Sequence, residues 1–159
     1  MIIHKKKKKL ELLEKLVKSR FIELFGDSYY NEKQWKKVRL KDVSRGALSY
    51  GSNSAAVEFD GKYRYLRITD ILDNGVLGNE IKSPGTVNLK YLLKEGDILF
   101  ARSGATVGKT FLYTQNVGKC IYAGYLIKFS PNLEKVLPTY VYYFTKTNYY
   151  LFFVSNAQK

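Results

Sequence analysis

The chain has 159 residues, which is enough for one ordinary domain with a hydrophobic core and one additional helix, but not for a second full domain. Its 27 Lys and Arg against 14 Asp and Glu give a net charge of +13, which favours an acidic partner such as nucleic acid or an anionic membrane. One histidine and one cysteine exclude a disulfide framework within the chain and most zinc sites, and no apolar run approaches the roughly 20 residues needed to cross a bilayer.

The basic excess is not confined to the lysine-rich N-terminus. Residues 1–20 hold eight basic and two acidic residues, which leaves nineteen basic and twelve acidic residues in the remainder. Some positive charge must therefore lie on the surface of the folded body. The basic start is followed by an amphipathic stretch, which is not typical of a secretory signal, so we expect a cytoplasmic protein.

An amphipathic helix is predicted from Lys5 to Phe25, because apolar side chains recur there every three or four residues. The repeating positions are Leu10, Leu13, Val17, Phe21 and Leu24. Gly26 is a natural stop. Further apolar residues flank the stripe, which predicts two packing surfaces rather than a single coiled-coil seam. Residues 1–26 are thus predicted to form a protruding helix.

Short strands separated by Gly, Asn and Ser are predicted between Trp35 and Phe129. The candidates are Lys37–Leu40, Tyr63–Ile68, Ile98–Arg102, Thr110–Tyr113 and Ile121–Phe129. Residues 73–75 and 95–97 carry tight-turn signals, and residues 45–54 predict a polar loop. We expect an α+β fold with a curved, mainly antiparallel sheet.

A C-terminal aromatic-rich helix is predicted over residues 140–153, which Pro138 can open. This helix would be apolar almost all round, and such a surface is normally buried. Only six residues follow it in the sequence, so we expect a missing partner or a missing continuation of the chain to cover this apolar surface.

Two patterns resemble catalytic motifs but fit them poorly. Gly104–Thr110 resembles a nucleotide-binding phosphate loop, yet three residues separate its glycines where four are required, and a strand is predicted to follow. Asp60 or Asp70 followed by Glu80 and Lys82 resembles the Asp…Glu-x-Lys arrangement of magnesium-dependent nucleases. We interpret the first as a Gly-rich hairpin connection and the second as solvated hairpin charges.

Other chemistries lack the residues they need. His4, at the terminus, offers no credible base for a Ser-His-Asp or Cys-His arrangement. The sequence has neither the Asn-Pro-Pro-aromatic stretch of amino-group DNA methyltransferases nor a Gly-x-Gly cofactor loop after a strand. We expect no catalytic activity, no cofactor and no metal.

Three features together favour nucleic-acid binding. They are the positive charge, the many aromatic residues, and the basic side chains interleaved with Ser, Thr and Gly around turns. Each feature has a structural alternative. Tyr-rich strands are more often core than stacking platforms, and a lysine run such as Lys5–Lys9 is more often a solvated helix end.

The stretch Leu92–Lys109, LLKEGDILFARSGATVGK, resembles the hallmark of the type I restriction-modification specificity subunit family, in which a Gly-Asp-Ile turn leads into a strand and then into Arg-x-Gly and Gly-Lys. Other elements of that pattern occur in the expected order. Trp35–Val43 resembles the opening of the domain, Tyr65–Ile71 its first central strand, Pro138–Phe144 its late helix, and Leu13–Asp27 the end of the spacer helix that precedes it.

The resemblance implies one target recognition domain, which reads half of a bipartite site on double-stranded DNA, together with part of a helix that docks methyltransferase subunits and so directs modification and restriction. The proline-containing entry to a distal helix is absent after Lys159, so residues 27–159 are predicted to lack the C-terminal part of the domain. The N-terminal helix could also pair with a copy of itself, and such a homodimer would read a symmetric site.

Ten residues are predicted to lie near DNA. They are Arg45, Tyr50, Ser52 and Asn53 on the first loop, Arg67, Thr69 and Asp70 at a strand end, and Arg102, Ser103 and Lys109 around the glycine connection. Each has a structural alternative; Arg102, for example, could pair internally with a carboxylate, whereas Gly96 and Asp97 are better explained as turn residues. The alternative function is a truncated protein-interaction module that pairs through its helix and aromatic tail without reading DNA.

Overall fold

The computed structural model describes residues 2–157 of the chain. Within that range the chain separates into two compact units. One is Val38–Tyr142, and the other combines the described residues up to Lys37 with those from Tyr143 onward. Helices and strands both occur, so the fold is α+β, as predicted. No helix of the described part is long and apolar enough to span a membrane.

Residues 2–157 form three α-helices and eight short strands. In chain order they are α1 (Ile2–Phe25), β1 (Ser49–Tyr50), β2 (Ala56–Glu58), β3 (Arg64–Leu66), β4 (Lys82–Pro84), β5 (Ile98–Ala101), β6 (Thr110–Leu112), β7 (Cys120–Tyr122), β8 (Leu126–Phe129), α2 (Pro138–Phe144) and α3 (Asn148–Ala157). Single turns of 3-10 helix occupy Leu40–Val43, Ile68–Asp70, Leu89–Tyr91, Gly104–Thr106 and Gln115–Val117.

The strands form one four-stranded sheet and two separate pairs. The sheet has the order β1-β8-β5-β6 and is antiparallel throughout. Strands β2 and β4 form an antiparallel pair, whereas β3 and β7 pair in parallel. The prediction of mainly antiparallel pairing is therefore confirmed, with β3–β7 as an exception.

The side chains of β5 alternate between two hydrophobic clusters, one on each face of the sheet. Leu99 packs on one face in the cluster that contains Tyr122. Ile98 packs on the other face with Phe129 and with Val141 of α2. Both faces of the central strand are thus buried, which fixes its register.

The predicted N-terminal helix is confirmed, and it begins at Ile2 rather than Lys5. It ends at Phe25, where Gly26 adopts the left-handed conformation at φ +82°. The side chain of Trp35 returns to this end, and its Nε1 donates to the Phe25 carbonyl oxygen over 2.8 Å. A carbonyl left unpaired at the helix end is thereby satisfied.

The two strands predicted at Ile98–Arg102 and Thr110–Tyr113 are confirmed as β5 and β6, each one residue shorter than expected. Both predicted tight turns are also confirmed. Across residues 73–75, the Leu72 N–H donates to the Val76 carbonyl oxygen over 2.9 Å, and Gly96 has φ +82° in the turn that leads into β5.

The strand predicted at Lys37–Leu40 is wrong. Residues 34–39 are irregular, and a 3-10 turn occupies Leu40–Val43. The spacing of three between Leu40 and Val43 lets both pack against the cluster that contains Phe129. Tertiary burial of these two side chains therefore decides the local conformation.

The strand predicted at Ile121–Phe129 is in fact two strands, β7 and β8, separated by a turn. The Leu126 N–H closes this turn by donating to the Ala123 carbonyl oxygen over 2.9 Å. Because β7 pairs with β3 while β8 joins the four-stranded sheet, the chain has to change direction at Gly124.

Three further predictions need correction. The strand at Tyr63–Ile68 is shorter, and only residues 64–66 pair. The loop at Arg45–Ser54 contains the two-residue strand β1. The predicted helix at Tyr140–Phe153 is broken into α2 and α3, because the Thr147 hydroxyl accepts the Tyr150 N–H over 3.3 Å and so caps a new helix.

Cys120 provides a test of this core. Its side chain is fully buried, and burial raises the pKa of its thiol to about 12. Because the thiolate is the reactive form, we expect a thiol-specific reagent to label the folded chain far more slowly than the chain in denaturant. The rate should rise steeply across the urea unfolding transition, and rapid labelling in native buffer would contradict the burial of β7.

Candidate functional site

Arg102 lies on an exposed platform formed with two tyrosines, and we call Tyr50, Arg102 and Tyr125 the Arg102 platform. The guanidinium carbon is 4.6 Å from the ring centroid of Tyr50 and 6.0 Å from that of Tyr125. The Arg102 N–H donates to the Tyr125 carbonyl oxygen over 3.2 Å. The tyrosines are 59% and 60% exposed, so the platform faces solvent.

The sheet register brings the three platform residues to one face. Tyr50 of β1 pairs with Ile127 of β8, which in turn pairs with Phe100 of β5. Side chains two residues apart along a strand project from the same face. Arg102 and Tyr125 lie one residue beyond β5 and β8, where the hydrogen bond from the Arg102 N–H to the Tyr125 carbonyl oxygen extends the pairing, and they continue the row of side chains that contains Tyr50.

Two glycines allow the segment after β1 to approach the turn between β7 and β8. A Cβ on Gly51 would overlap the carbonyl oxygens of Tyr122 and Ala123, and the Asn53 amide oxygen occupies the space that a Cβ on Gly124 would need. The platform therefore rests on close backbone packing, and Asn53, which is exposed, lies beside it.

The Arg102 guanidinium is not neutralised by a neighbouring acid. No carboxylate oxygen in residues 2–157 lies within 4.0 Å of it, so the internal carboxylate pairing considered from the sequence is wrong. The guanidinium lies over the Tyr50 ring in a cation–π contact, and no carboxylate in the described part holds its N–H donors, which therefore stay available to a ligand.

Arg67 and Asp70 form an internal clamp. Arg67 Nη2 donates to Asp70 Oδ1 over 2.6 Å, and its Nε and backbone N–H donate to Oδ2 over 3.1 and 2.7 Å. Arg67 Nη2 also contacts Glu80 Oε2 at 3.0 Å. The hydrogen bond to Asp70 raises the pKa of Arg67. Asp70 is only 4% exposed, so this pair holds the chain after β3, and Thr69 lies exposed between its members.

Lys109 ends the glycine connection between β5 and β6. Its Nζ lies 2.7 Å from Asp73 Oδ1, and this contact holds the pKa of the Asp73 carboxyl below its usual range. Asp73 is 95% exposed, so solvent screens the pair. The next residue, Thr110, begins a buried strand, which confirms the Gly-rich hairpin connection rather than a phosphate loop.

Ser103, also in this connection, is partly buried, and its carbonyl oxygen accepts a hydrogen bond from the Thr106 hydroxyl.

The remaining predicted residues lie on the first loop. Arg45 is exposed, and its backbone N–H donates to the Ser130 carbonyl oxygen over 2.7 Å. Ser52 is buried, and its hydroxyl accepts the Ser54 N–H. The structure thus brings Tyr50, Asn53 and Arg102 together, whereas the clamp of Arg67 with Asp70 forms a separate cluster.

The carboxylates of the nuclease-like pattern are engaged by protein donors. Asp60 accepts the backbone N–H groups of Lys62 and Tyr63 and the hydroxyl of Ser83, which hold the pKa of its carboxyl below the usual range. No group of three or more potential metal-ligating side chains occurs among the described residues. Asp60 therefore organises a turn.

Tyr125 was not predicted as a site residue. It was assigned to the continuous strand Ile121–Phe129, in which an aromatic residue is expected to be core. The available signal was Gly124, since a glycine inside a strand pattern often marks a bend or a close backbone approach.

The comparisons with known proteins point to one family. The family model of the type I restriction modification DNA specificity domain matches residues 32–159. A solved chain from structural work on complex assembly and conformational transition of the type I R-M system is 16% identical, with a TM-score of 0.57. The match covers 94% of this chain and 38% of that one, and it shows a shared fold. The comparison with curated proteins gave no significant match.

The close backbone approach at Gly51 should be intolerant of a side chain. We expect Gly51→Ala to lower the free energy of unfolding by about 3 kcal/mol, because the added methyl group has to displace the Tyr122 and Ala123 carbonyls. Gly46→Ala is the matched control, since a Cβ there meets nothing within 4 Å. Urea titrations followed by circular dichroism measure both, and equal midpoints would contradict the packing.

The Arg67 clamp should stabilise the folded chain far more than an exposed ion pair of the same type does. We expect Arg67→Met to lower the free energy of unfolding by about 3 kcal/mol, because Asp70 would stay buried without its cation. Arg39→Met is the control, and it should cost less than about 1 kcal/mol, because the Arg39–Asp42 pair is exposed.

Adding Asp70→Asn to Arg67→Met should recover part of the loss by removing the buried charge. Urea unfolding of all four proteins checks both expectations. Small, equal effects of the two single substitutions would show that the clamp is not structural.

Proposed function

Because the chain belongs to the type I restriction-modification DNA specificity domain family, we propose that it binds double-stranded DNA in a sequence-specific manner as a target recognition domain. In this proposal the domain reads one half-site and directs methyltransferase and restriction subunits to it. The chain itself performs no catalysis and needs no cofactor. The matched solved chain is much longer, so assembly with those subunits is part of the proposal.

The observation that carries this proposal is the Arg102 platform. Arginine recognises the O6 and N7 atoms of guanine in the major groove through two parallel N–H donors, which requires its guanidinium plane to be held in one orientation. In this proposal the cation–π contact with Tyr50 restricts that orientation before DNA arrives. No carboxylate in the described part competes for the donors.

The other predicted residues divide by role. Asn53 and Ser103 lie in the segments next to the platform and contribute polar groups that can reach base edges. Arg45 and Lys109 contact phosphates, with Lys109 exchanging its exposed partner Asp73 for DNA. Thr69 makes a further polar contact.

Ser52 and the clamp of Arg67 with Asp70 act near the DNA by fixing the backbone that carries these groups. The division into a spacer helix at residues 1–26 and a recognition domain at 27–159 stays a prediction, as do the curvature of the sheet and the protrusion of the N-terminal helix.

A second candidate function is protein interaction through the helices. On α1, seven apolar side chains are exposed: Leu10, Leu12, Leu13, Leu16, Val17, Ile22 and Leu24. On α3, Leu151, Phe152 and Phe153 are exposed as well. Exposed apolar side chains in this number favour a partner, which we propose is a methyltransferase subunit or a second copy of the chain. The alternative function is that this pairing occurs without DNA reading.

Selection from random duplexes at two salt concentrations tests the proposal. We expect the chain to enrich a short motif and to lose affinity steeply as salt rises, with a log-log slope of about −0.9 for each phosphate contact. Arg102→Ala should reduce the preference for one base pair by about 1–3 kcal/mol, whereas Lys109→Gln should lower the binding affinity for all sequences alike.

Arg39→Ala, an exposed arginine in a different turn, is the control and should leave the motif unchanged. Salt-sensitive binding without enrichment would leave only a basic surface. Absence of DNA binding, together with salt-insensitive self-association, would favour the protein-interaction function instead.

A further inference from the structure

A second group of basic residues surrounds an open concavity of about 240 Å³ in the unit Val38–Tyr142. Arg45, Lys94 and Lys128 line it together with the hydroxyl-bearing Ser49 and Ser130, and no acidic residue lines it. We call it the basic concavity. Only Arg45 was expected near DNA from the sequence, since the two lysines belong to a turn and to a β-strand.

A backbone hydrogen bond positions Arg45, and an aromatic ring positions the Lys128 cation. The Arg45 N–H donates to the Ser130 carbonyl oxygen, which anchors the first side of the concavity. Lys128 Nζ lies 5.5 Å from the ring centroid of Tyr122, whose hydroxyl is hydrogen-bonded to Ser49 Oγ at 2.8 Å. Lys128 and Ser49 are also register partners on neighbouring strands.

The three positive charges lack acidic partners at contact distance. Within residues 2–157, no carboxylate oxygen lies within 4.0 Å of the side-chain nitrogens of Arg45, Lys94 or Lys128. Like charges gathered around one concavity repel each other, and a bound anion would relieve that repulsion.

The nearby carboxylate of Asp97 is already engaged inside the domain. Its Oδ1 accepts the Ser130 hydroxyl over 2.6 Å, and its Oδ2 accepts the Lys94 N–H over 2.9 Å. Asp97 is 1% exposed and does not line the concavity. One buried negative charge does not neutralise the three cations at the surface.

We propose that the basic concavity binds a phosphate group. An arginine fork and two ammonium groups supply the donors that bind phosphate oxygens, and the Ser49 hydroxyl adds one when the Tyr122 hydroxyl donates to it. The volume exceeds that of one phosphate, which leaves room for a sugar attached to it. The source is either a backbone phosphate of DNA, in which case the inference rests on the proposed function, or a free phosphate.

If the phosphate belongs to DNA, the location of the concavity fixes where that phosphate lies relative to the Arg102 platform. Ser49 and Tyr50 are neighbours on β1, and adjacent side chains on a strand project from opposite faces. Ser49 lines the basic concavity, whereas Tyr50 carries the Arg102 platform. The edge strand β1 would therefore lie between a phosphate contact on one side and the base-reading arginine on the other.

Two measurements on the full chain test the inference. In the first, inorganic phosphate is titrated while amide chemical shifts are followed by NMR, with Lys128→Gln and Lys94→Gln as variants. We expect shifts at Gly46, Ala47 and Ser130, and each variant should weaken phosphate binding at least several-fold. In the second, the salt dependence of DNA affinity is measured, and each variant should reduce the log-log slope by about 0.9.

Lys90→Gln is the matched control. Lys90 also lies over a tyrosine ring, with its Nζ 5.7 Å from the centroid of Tyr91, but it does not line the concavity. This variant should leave both measurements unchanged. Thermal midpoints of all the variants exclude unfolding as the cause of any loss.

The outcomes separate the two proposals. A reduced slope in the Lys128 and Lys94 variants supports a DNA phosphate as the ligand, and phosphate binding with an unchanged slope supports a free phosphate group. If the chain binds no DNA at all, the proposed function fails, while the phosphate titration still decides the concavity. No phosphate shifts and unchanged slopes, or equal effects of Lys90→Gln, would overturn the inference.

Discussion

Strand β5 has to bury side chains on both of its faces, and the arrangement of the four-stranded sheet follows from that requirement. Ile98 and Leu99 are both fully buried, yet they enter different hydrophobic clusters. A shift of one residue in register would exchange the two sets of side chains, so pairing with β6 and β8 is strongly specified. Beyond Ala101 the chain leaves the sheet, and Arg102 is the first residue that the clusters do not cover.

Two groups of basic residues in the domain have different physical roles. Arg67, Lys82 and Lys109 are paired with carboxylates, and their charges serve the fold or are screened at its surface. Arg102 and Lys128 instead lie against tyrosine rings, which orient a cation without neutralising it. The net positive charge therefore includes charges held in fixed positions and still available to an anion.

A regular apolar repeat predicted α1, whereas β-prone residues between turn signals predicted β5 and β6. The strand prediction failed over Ile121–Phe129, where hydrophobic residues continue through a turn that only Gly124 marks. Strands β1, β2 and β4 were missed since they have two or three residues and depend on distant partners. Composition singled out Tyr50 and Arg102 separately, but their contact, and the part played by Tyr125, arise from the register of β1, β8 and β5, which no local pattern encodes.

Because of Gly51 and Gly124, the backbone that supports the platform is positioned independently of the three side chains that form it. Backbone atoms and the Asn53 amide fill the space around these glycines, so the position of the loop does not depend on which side chains stand at 50, 102 and 125. Those three positions are exposed and can change without opening the core. In the proposed function, such a frame lets new combinations of residues arise at these positions by mutation while the protein stays folded, so that one scaffold can acquire many target sequences.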